Sequence, residues 1–225
     1  KKIKKINIFD IEDLKFKKEF EKYCSKKDIK FEYHSSPMFL LKREDFSKFS
    51  DYKKPQLSSF YSQIRKKFNI LMDKDRPIGG KWSFDEDNRK RLPKDYKKFT
   101  PQQFESKYFK PIKDLIQKHF SDHFGELNPK ILFPFNTKDS KKVLENFIHN
   151  KFNHFGDYED FIHDGDLTIN HSLISAPLNM GLITPSDVLK KITDINYKKV
   201  GLNNYEGFIR QIFGWREFIR YLTFT

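Results

Sequence analysis

The segment 208–218, FIRQIFGWREF, sets two arginines, a glutamine, a glutamate and a glycine among six large apolar residues. Phe208, Ile212, Trp215, Ile219 and Leu222 follow the spacing of four, three, four and three that makes one helical stripe, and the stripe predicts a core-facing strip. Gln211, Gly214, Phe218 and Tyr221 fall on the adjoining face. A glycine one turn from a glutamine leaves a flat notch where a ligand could reach the backbone. Glycine costs a helix interior about 1 kcal/mol against alanine, so the notch predicts a packing or binding role. Glu206 and Arg210 stand four apart, as do Arg216 and Arg220 with Glu217 between them. These charges flank the most apolar stretch of the chain, where unpaired charge is costly.

Two further segments carry side chains suited to chemistry. In INHSLISAPLNMGLITPSDV, Asn170, His171, Ser172 and Ser175 place small donors at a helix start, where free backbone amides also collect. That combination suits a phosphate, although serines at such positions also serve as plain caps. Thr184, Pro185 and Asp187 read as an N-cap, a first-turn proline and a capping-box partner, which is a structural role. GGKWSFDEDNRK at 79–90 has neither the GxxxxGK[ST] spacing nor a strand immediately before it, which excludes a nucleotide triphosphate loop. Trp82 and Phe84, two apart in an extended stretch, predict an anchor for a connector. His149, His154, His163 and His171 are spaced by five, nine and eight, which puts no two on one helical face, so no metal site is expected. Only His171 keeps a candidate role.

These residues need elements to hold them. KKINIFDI alternates like a strand, EDLKFKKEFEKYCSKK places Leu14, Phe16, Phe20, Tyr23 and Cys24 at helical spacing, and IKFEY reads as a second strand. Such a unit closes into a parallel sheet, and a parallel sheet needs more strands than two to bury both faces. With IRYLTFT following directly on the densest apolar helix, the expectation is a fragment cut at both ends. A polar, lysine-rich stretch from about Phe39 leads to a helix with Phe60, Ile64, Phe68 and Leu71 on one face. From about Pro101 the pattern is helical: PQQFESKYFKPIKDLIQKHF, KKVLENFIHNKFNHF, YEDFIHD, HSLISAPLNMGL, TPSDVLKKI and NYEGFIRQIFGWREFIRYL. The fold class expected is α/β followed by all-α.

The chain has 225 residues, 37% of them hydrophobic and 16% aromatic, enough for one large domain or two small ones with a real core. A net charge of +13 suits a phosphate-rich partner, but lysine far outnumbers arginine, and a general lysine-rich habit gives the same excess. The single cysteine, Cys24, provides neither a disulfide nor a metal cluster by itself. No apolar run nears the ~20 residues that span a bilayer, and KKIKKINIF lacks the apolar core of a signal peptide, so no membrane association and a cytoplasmic location are expected.

Taken in order, the three segments resemble the prokaryotic branch of the cryptochrome/photolyase family whose members carry an iron-sulfur cluster, the photolyase-related or bacterial (6-4) photolyase-like proteins. GGxWxFDxxNR and EGFIRQIxGWRE point to this branch rather than to other photolyases that share WREF alone. The resemblance implies the tail of a Rossmann-like antenna domain over 1–45, a helix and interdomain connector over 46–104, and the N-terminal half of a helical FAD-binding domain over 105–225. His171, Ser172, Leu173, Ile174 and Ser175 correspond to the stretch around the flavin phosphates. Gln211, Gly214 and Trp215 would approach the isoalloxazine, Arg210, Gln211 and Phe218 the flipped base, with Arg216 and Glu217 paired beneath them. The implied activity is that of a deoxyribodipyrimidine photolyase-type lyase acting on damaged DNA as a monomer. Its chemistry is light-driven electron transfer from reduced FAD to a pyrimidine dimer, here the (6-4) photoproduct, flipped out of the duplex. The family's lumazine-type antenna pocket would lie mostly before Lys1. Its four-iron four-sulfur cluster needs four cysteines, none of which Cys24 matches, and the fragment alone is not expected to repair DNA. A blue-light receptor of the same fold, and a basic DNA-binding scaffold without flavin, are the alternatives.

Overall fold

A computed structural model describes residues 3–49 and 54–224. Strand β1 (Lys5–Phe9) pairs in parallel with β2 (Lys30–His34), Ile6 opposite Phe31 and Ile8 opposite Tyr33, with helix α1 (Leu14–Lys26) as the crossover. Asp13 caps α1 by accepting from the Phe16 amide at 2.8 Å. Phe20 of α1 meets the Phe31 ring at 5.5 Å and Cys24 is fully buried, so α1 covers one face of the sheet. Leu14, Phe16 and Tyr23, grouped with them by helical spacing, are more than half exposed.

The stretch after β2 is less of a linker than its composition predicts. Leu41, Phe46 of the one-turn α2 (Arg43–Phe46) and Phe49 join the main apolar core, together with Phe60 and Ile64 of α3 (Leu57–Phe68). The Phe60 ring stacks on Tyr221 at 5.2 Å. Two short antiparallel pairs follow, β3 (Met72–Asp73) with β4 (Arg76–Pro77) and β5 (Phe104–Glu105) with β6 (Lys130–Ile131). Between β5 and β6 lies α4 (Phe109–His119), which buries none of its side chains.

The remaining body is helical. α5 (Thr137–Asn150) is capped by Asn136 and buries Val143, Leu144 and Phe147. YEDFIHD yields only Tyr158, the last residue of the one-turn α6 (Phe155–Tyr158). α7 (Ser175–Asn179) is short, and α8 (Pro185–Thr193) starts with the capping box expected of Thr184 and Asp187. After α9 (Tyr197–Val200) comes α10 (Leu202–Ile209), a π-helical turn over Arg210–Trp215, and α11 (Arg216–Leu222). The result is a small parallel α/β unit beside a mostly helical body.

The π turn overturns the predicted stripe. One extra residue in a helical turn rotates everything downstream by roughly 100°. Phe208 and Ile212 are buried as expected, but Trp215, Ile219 and Leu222 are 44%, 54% and 40% exposed. Their place in the core is taken by Phe213, Phe218 and Tyr221.

Candidate functional site

The π turn decides which side chains are open to a ligand. Gly214 is on the buried side: a methyl group there would stand 3.2 Å from Arg210 Cγ and 3.3 Å from Tyr61 Cδ2. The predicted notch is therefore filled by the Tyr61 ring of α3. Phe218 is likewise in the core, 5.5 Å from Phe60 by ring centroids, rather than facing a base. The open side carries Gln211, Trp215, Arg216 and Ile219, which with Glu12, Phe39, Thr223 and the buried Arg220 line a groove of about 510 Å³.

The charges of the closing helix mostly bind the protein to itself. Arg210 is 9% exposed and meets Asp85 at 2.9 Å, Glu206 at 3.3 Å and Glu159 at 3.4 Å, so the expected substrate contact is replaced by an internal ion-pair network. Burial works against its charge, but Glu206, Glu159 and Asp85 outweigh that and hold its pKa above the usual arginine value. Glu206 also accepts from the Phe84 amide at 2.9 Å. Buried Arg65 donates to the carbonyls of Ile70, Leu71 and Trp82, with its guanidinium 5.4 Å from the Trp82 ring. These bonds seat the GGKWSFDEDNRK segment on α3 and α10, the anchoring predicted from Trp82 and Phe84.

Arg216 and Glu217 do not pair. Adjacent helical residues point about 100° apart, and each finds other partners. Glu217 is fully buried and accepts from the Leu40 and Leu41 amides at 2.9 and 3.1 Å; burial raises its pKa against those bonds. Arg216 donates to Met38 O and to Asn179 Oδ1, the latter at 3.0 Å. Arg220 holds Glu12 at 2.8 Å, tying α11 to the α/β unit.

The INHSLIS segment is a shaped loop more than a helix start. Asp166 accepts from Thr168 N, Thr168 Oγ1, Ile169 N and Tyr96 Oη, and Ile169 and Leu173 adopt left-handed φ of 38° and 58°. Ile174 points into the core. Ile174 also occupies the N-cap position of α7 and supplies no side-chain cap, so neither Ser172 nor Ser175 plays the capping part left open by their sequence positions. His171, Ser172 and Leu173 border a cavity of about 20 Å³, room for one water, with Lys151 in its wall. Lys151 is 3% exposed, and burial pushes its pKa down to about 8.

The two predicted segments border separate cavities but share an anchor. His171 Nε2 donates to the Glu159 carbonyl at 3.1 Å, and Gln211 Nε2 donates to Glu159 Oε2 at 3.0 Å. Asn88 of the connector donates to Glu159 Oε1 at 3.0 Å. Arg216 to Asn179 makes a second link between them. Sequence reading missed Glu159 and Lys151: each lies in a segment of mixed polarity, and only the fold shows that it is enclosed.

Residues 1–132 match the family described as deoxyribodipyrimidine photo-lyase-related protein. The chain is 34% identical over 200 residues to the (6-4) photolyase of Agrobacterium fabrum, covering 85% of this chain and 38% of that one. It is also similar to two uncharacterized proteins of Acanthamoeba polyphaga mimivirus. With R852 it shares 36% over 93 residues, 39% of this chain and 47% of the relative. With R853 it shares 48% over 68 residues, 29% of this chain and 51% of the relative. The matched regions thus span about two fifths to one half of these relatives. With a family match over more than half its length, this chain belongs to the deoxyribodipyrimidine photo-lyase-related protein family.

Proposed function

We propose that the chain forms part of a flavin-dependent DNA photolyase that repairs ultraviolet-induced pyrimidine lesions, the (6-4) photoproduct first among them. The observation that carries the reading is the 34% identity to a (6-4) photolyase across 85% of this chain. Residues 1–45 then belong to the antenna domain, 46–104 to the helix and connector, and 105–225 to the first half of the flavin domain. The lumazine-type antenna and the iron-sulfur cluster of the family are assigned no residue of this chain.

The open groove supports a planar ligand by its donor set. Trp215 offers an exposed indole face, Gln211 a fixed amide and Arg216 a cation. Ser172 and Ser175, with the backbone turned by Leu173, supply polar groups suited to phosphates. FAD bound there would supply light-driven electron donation. The residues bind, orient and stack, and the +13 charge favours a duplex partner. Illuminating the full-length protein with ultraviolet-damaged oligonucleotides tests the reading. Light-dependent loss of the lesion, abolished in Trp215→Ala, is expected; a flavin that photoreduces while every lesion persists points instead to a light receptor.

A further inference from the structure

We propose that Glu159 is a positioning residue that orients Gln211 with its carboxylate and His171 with its backbone carbonyl, so that Gln211 offers the groove an acceptor for a ring N–H. The inference rests on the function proposed above for the groove. Glu159 follows α6 and has a side chain only 8% exposed. One oxygen, Oε1, takes Asn88 Nδ2 at 3.0 Å and Arg210 Nη2 at 3.4 Å; the other, Oε2, takes Gln211 Nε2 at 3.0 Å. An ionised carboxylate only accepts, so the Gln211 carboxamide must turn its NH₂ toward Glu159. Its carbonyl oxygen is left on the other side, and no hydrogen bond to that oxygen occurs among the described residues.

The second arm works the same way. A backbone carbonyl also only accepts, so His171 Nε2, 3.1 Å from Glu159 O, carries the proton, which fixes both the tautomer and the ring plane. One residue thereby sets a polar group in each of the two candidate segments. Burial raises the Glu159 pKa above its ordinary value, and the Arg210 guanidinium, 3.4 Å away and also paired with Asp85, opposes that shift by favouring the ionised carboxylate.

The ligand chemistry follows from the offered acceptor. A bare amide oxygen beside an exposed indole selects a flat ring with an N–H at its edge. The imide edge has that form, and pyrimidine bases and flavins both carry it. A glutamine free to flip its amide would accept and donate equally and lose this preference.

The test compares wild type with Glu159→Gln and Glu159→Ala. In the 225-residue chain, the Gln211 side-chain amide resonance should shift in Glu159→Gln, whereas a resonance unmoved in both variants overturns the proposal. In the full-length protein, affinity is measured for a lesion-bearing duplex, for the intact duplex, for FAD and for N3-methyl FAD. Glu159→Gln should lower lesion preference, or the preference for FAD over its methylated form, about fivefold to tenfold. A fall in the first identifies the base as the ring recognised, and a fall in the second the flavin. Intact-duplex affinity should stay within about twofold, the mark that separates positioning from a general loss of structure. Both preferences kept in Glu159→Gln overturn the proposal. A wild type that prefers neither ligand refutes the photolyase reading, and the amide resonance then decides the orienting role alone.

Discussion

Replacing Gly214 separates a packing glycine from a ligand-facing one. Alanine places its methyl 3.2 Å from Arg210 Cγ and 3.3 Å from Tyr61 Cδ2, closer than most side-chain contacts, so a neighbour must yield by a few tenths of an ångström. Neither yields easily. Arg210 is tethered to Asp85, Glu206 and Glu159, and Tyr61 is 2% exposed. The helix preference of alanine, about 1 kcal/mol over glycine, offsets this crowding, so Gly214→Ala should change stability by less than about 1 kcal/mol. Leucine adds three carbons toward the same ring. Overpacking of this kind costs about 1–3 kcal/mol, equivalent to a fall of roughly 2–12 °C in Tm for a chain of this size. Thermal unfolding followed by circular dichroism measures it, with Tyr61→Ala completing a double-mutant cycle. The Gly214→Leu cost should shrink by about 1–2 kcal/mol when Tyr61 is absent. A Gly214→Leu chain that melts with the wild type, while the full-length variant loses flavin or lesion binding, would refute the packing role and restore the ligand-facing one.

Three further outcomes follow from the same geometry. Trp215→Ala should leave stability within about 1 kcal/mol, because its indole is 44% exposed; a loss above about 3 kcal/mol in urea unfolding would return it to the core. Lys151, held near 8 against an unfolded value near 10.5, carries a desolvation cost that is fully present below pH 8 and fades as pH rises toward 10.5. Lys151→Met should therefore be more stable at pH 7 by up to about 3 kcal/mol, an advantage that narrows by pH 10.5; equal stability at both values contradicts the burial argument. For Asp166, burial opposes ionisation, but the bonds from Thr168, Ile169 and Tyr96 prevail and hold the carboxyl far below its ordinary value of 3.8. Its stabilisation is complete above that value and lost below it, so the gap between wild type and Asp166→Asn should close as pH falls from 4 toward 2. A gap independent of pH would assign the effect to shape alone.

Local patterns in the sequence predicted local structure well. The β1-α1-β2 unit was legible from alternation and helical spacing, the start of α8 from Thr184, Pro185 and Asp187, and the Glu206–Arg210 pair from its spacing of four. The faces of the last helix were not. A π turn is a backbone hydrogen-bonding choice, and a period of 3.6 carried through Arg210–Trp215 puts Trp215, Ile219 and Leu222 where Phe218 and Tyr221 belong. Partners far apart in sequence were equally hidden. Glu217 answers two amides 177 and 176 positions earlier in the chain, and nothing in WREF announces them. Of the candidate site, the segments were readable and their joint at Glu159 was not, because its role exists only once the connector at Asn88, the loop at His171 and the π turn at Gln211 converge.

The order in which these elements can come together follows from where α10 and α11 attach. Glu206 holds Phe84 across 122 positions, Arg210 holds Asp85 across 125, Glu217 holds Leu40 across 177, and Arg220 holds Glu12 across 208. During synthesis at about 5–20 residues per second, those earlier groups leave the ribosome many seconds before their partners exist. Each waits in water while the intervening loops stay open, and the entropy of closing them is recovered only when α10 and α11 arrive. These four contacts therefore form only after α10 and α11 have been made. A nascent chain halted before Leu202 should expose the Leu40 and Leu41 amides and the apolar face of α3, and be prone to capture by chaperones or proteases at that stage.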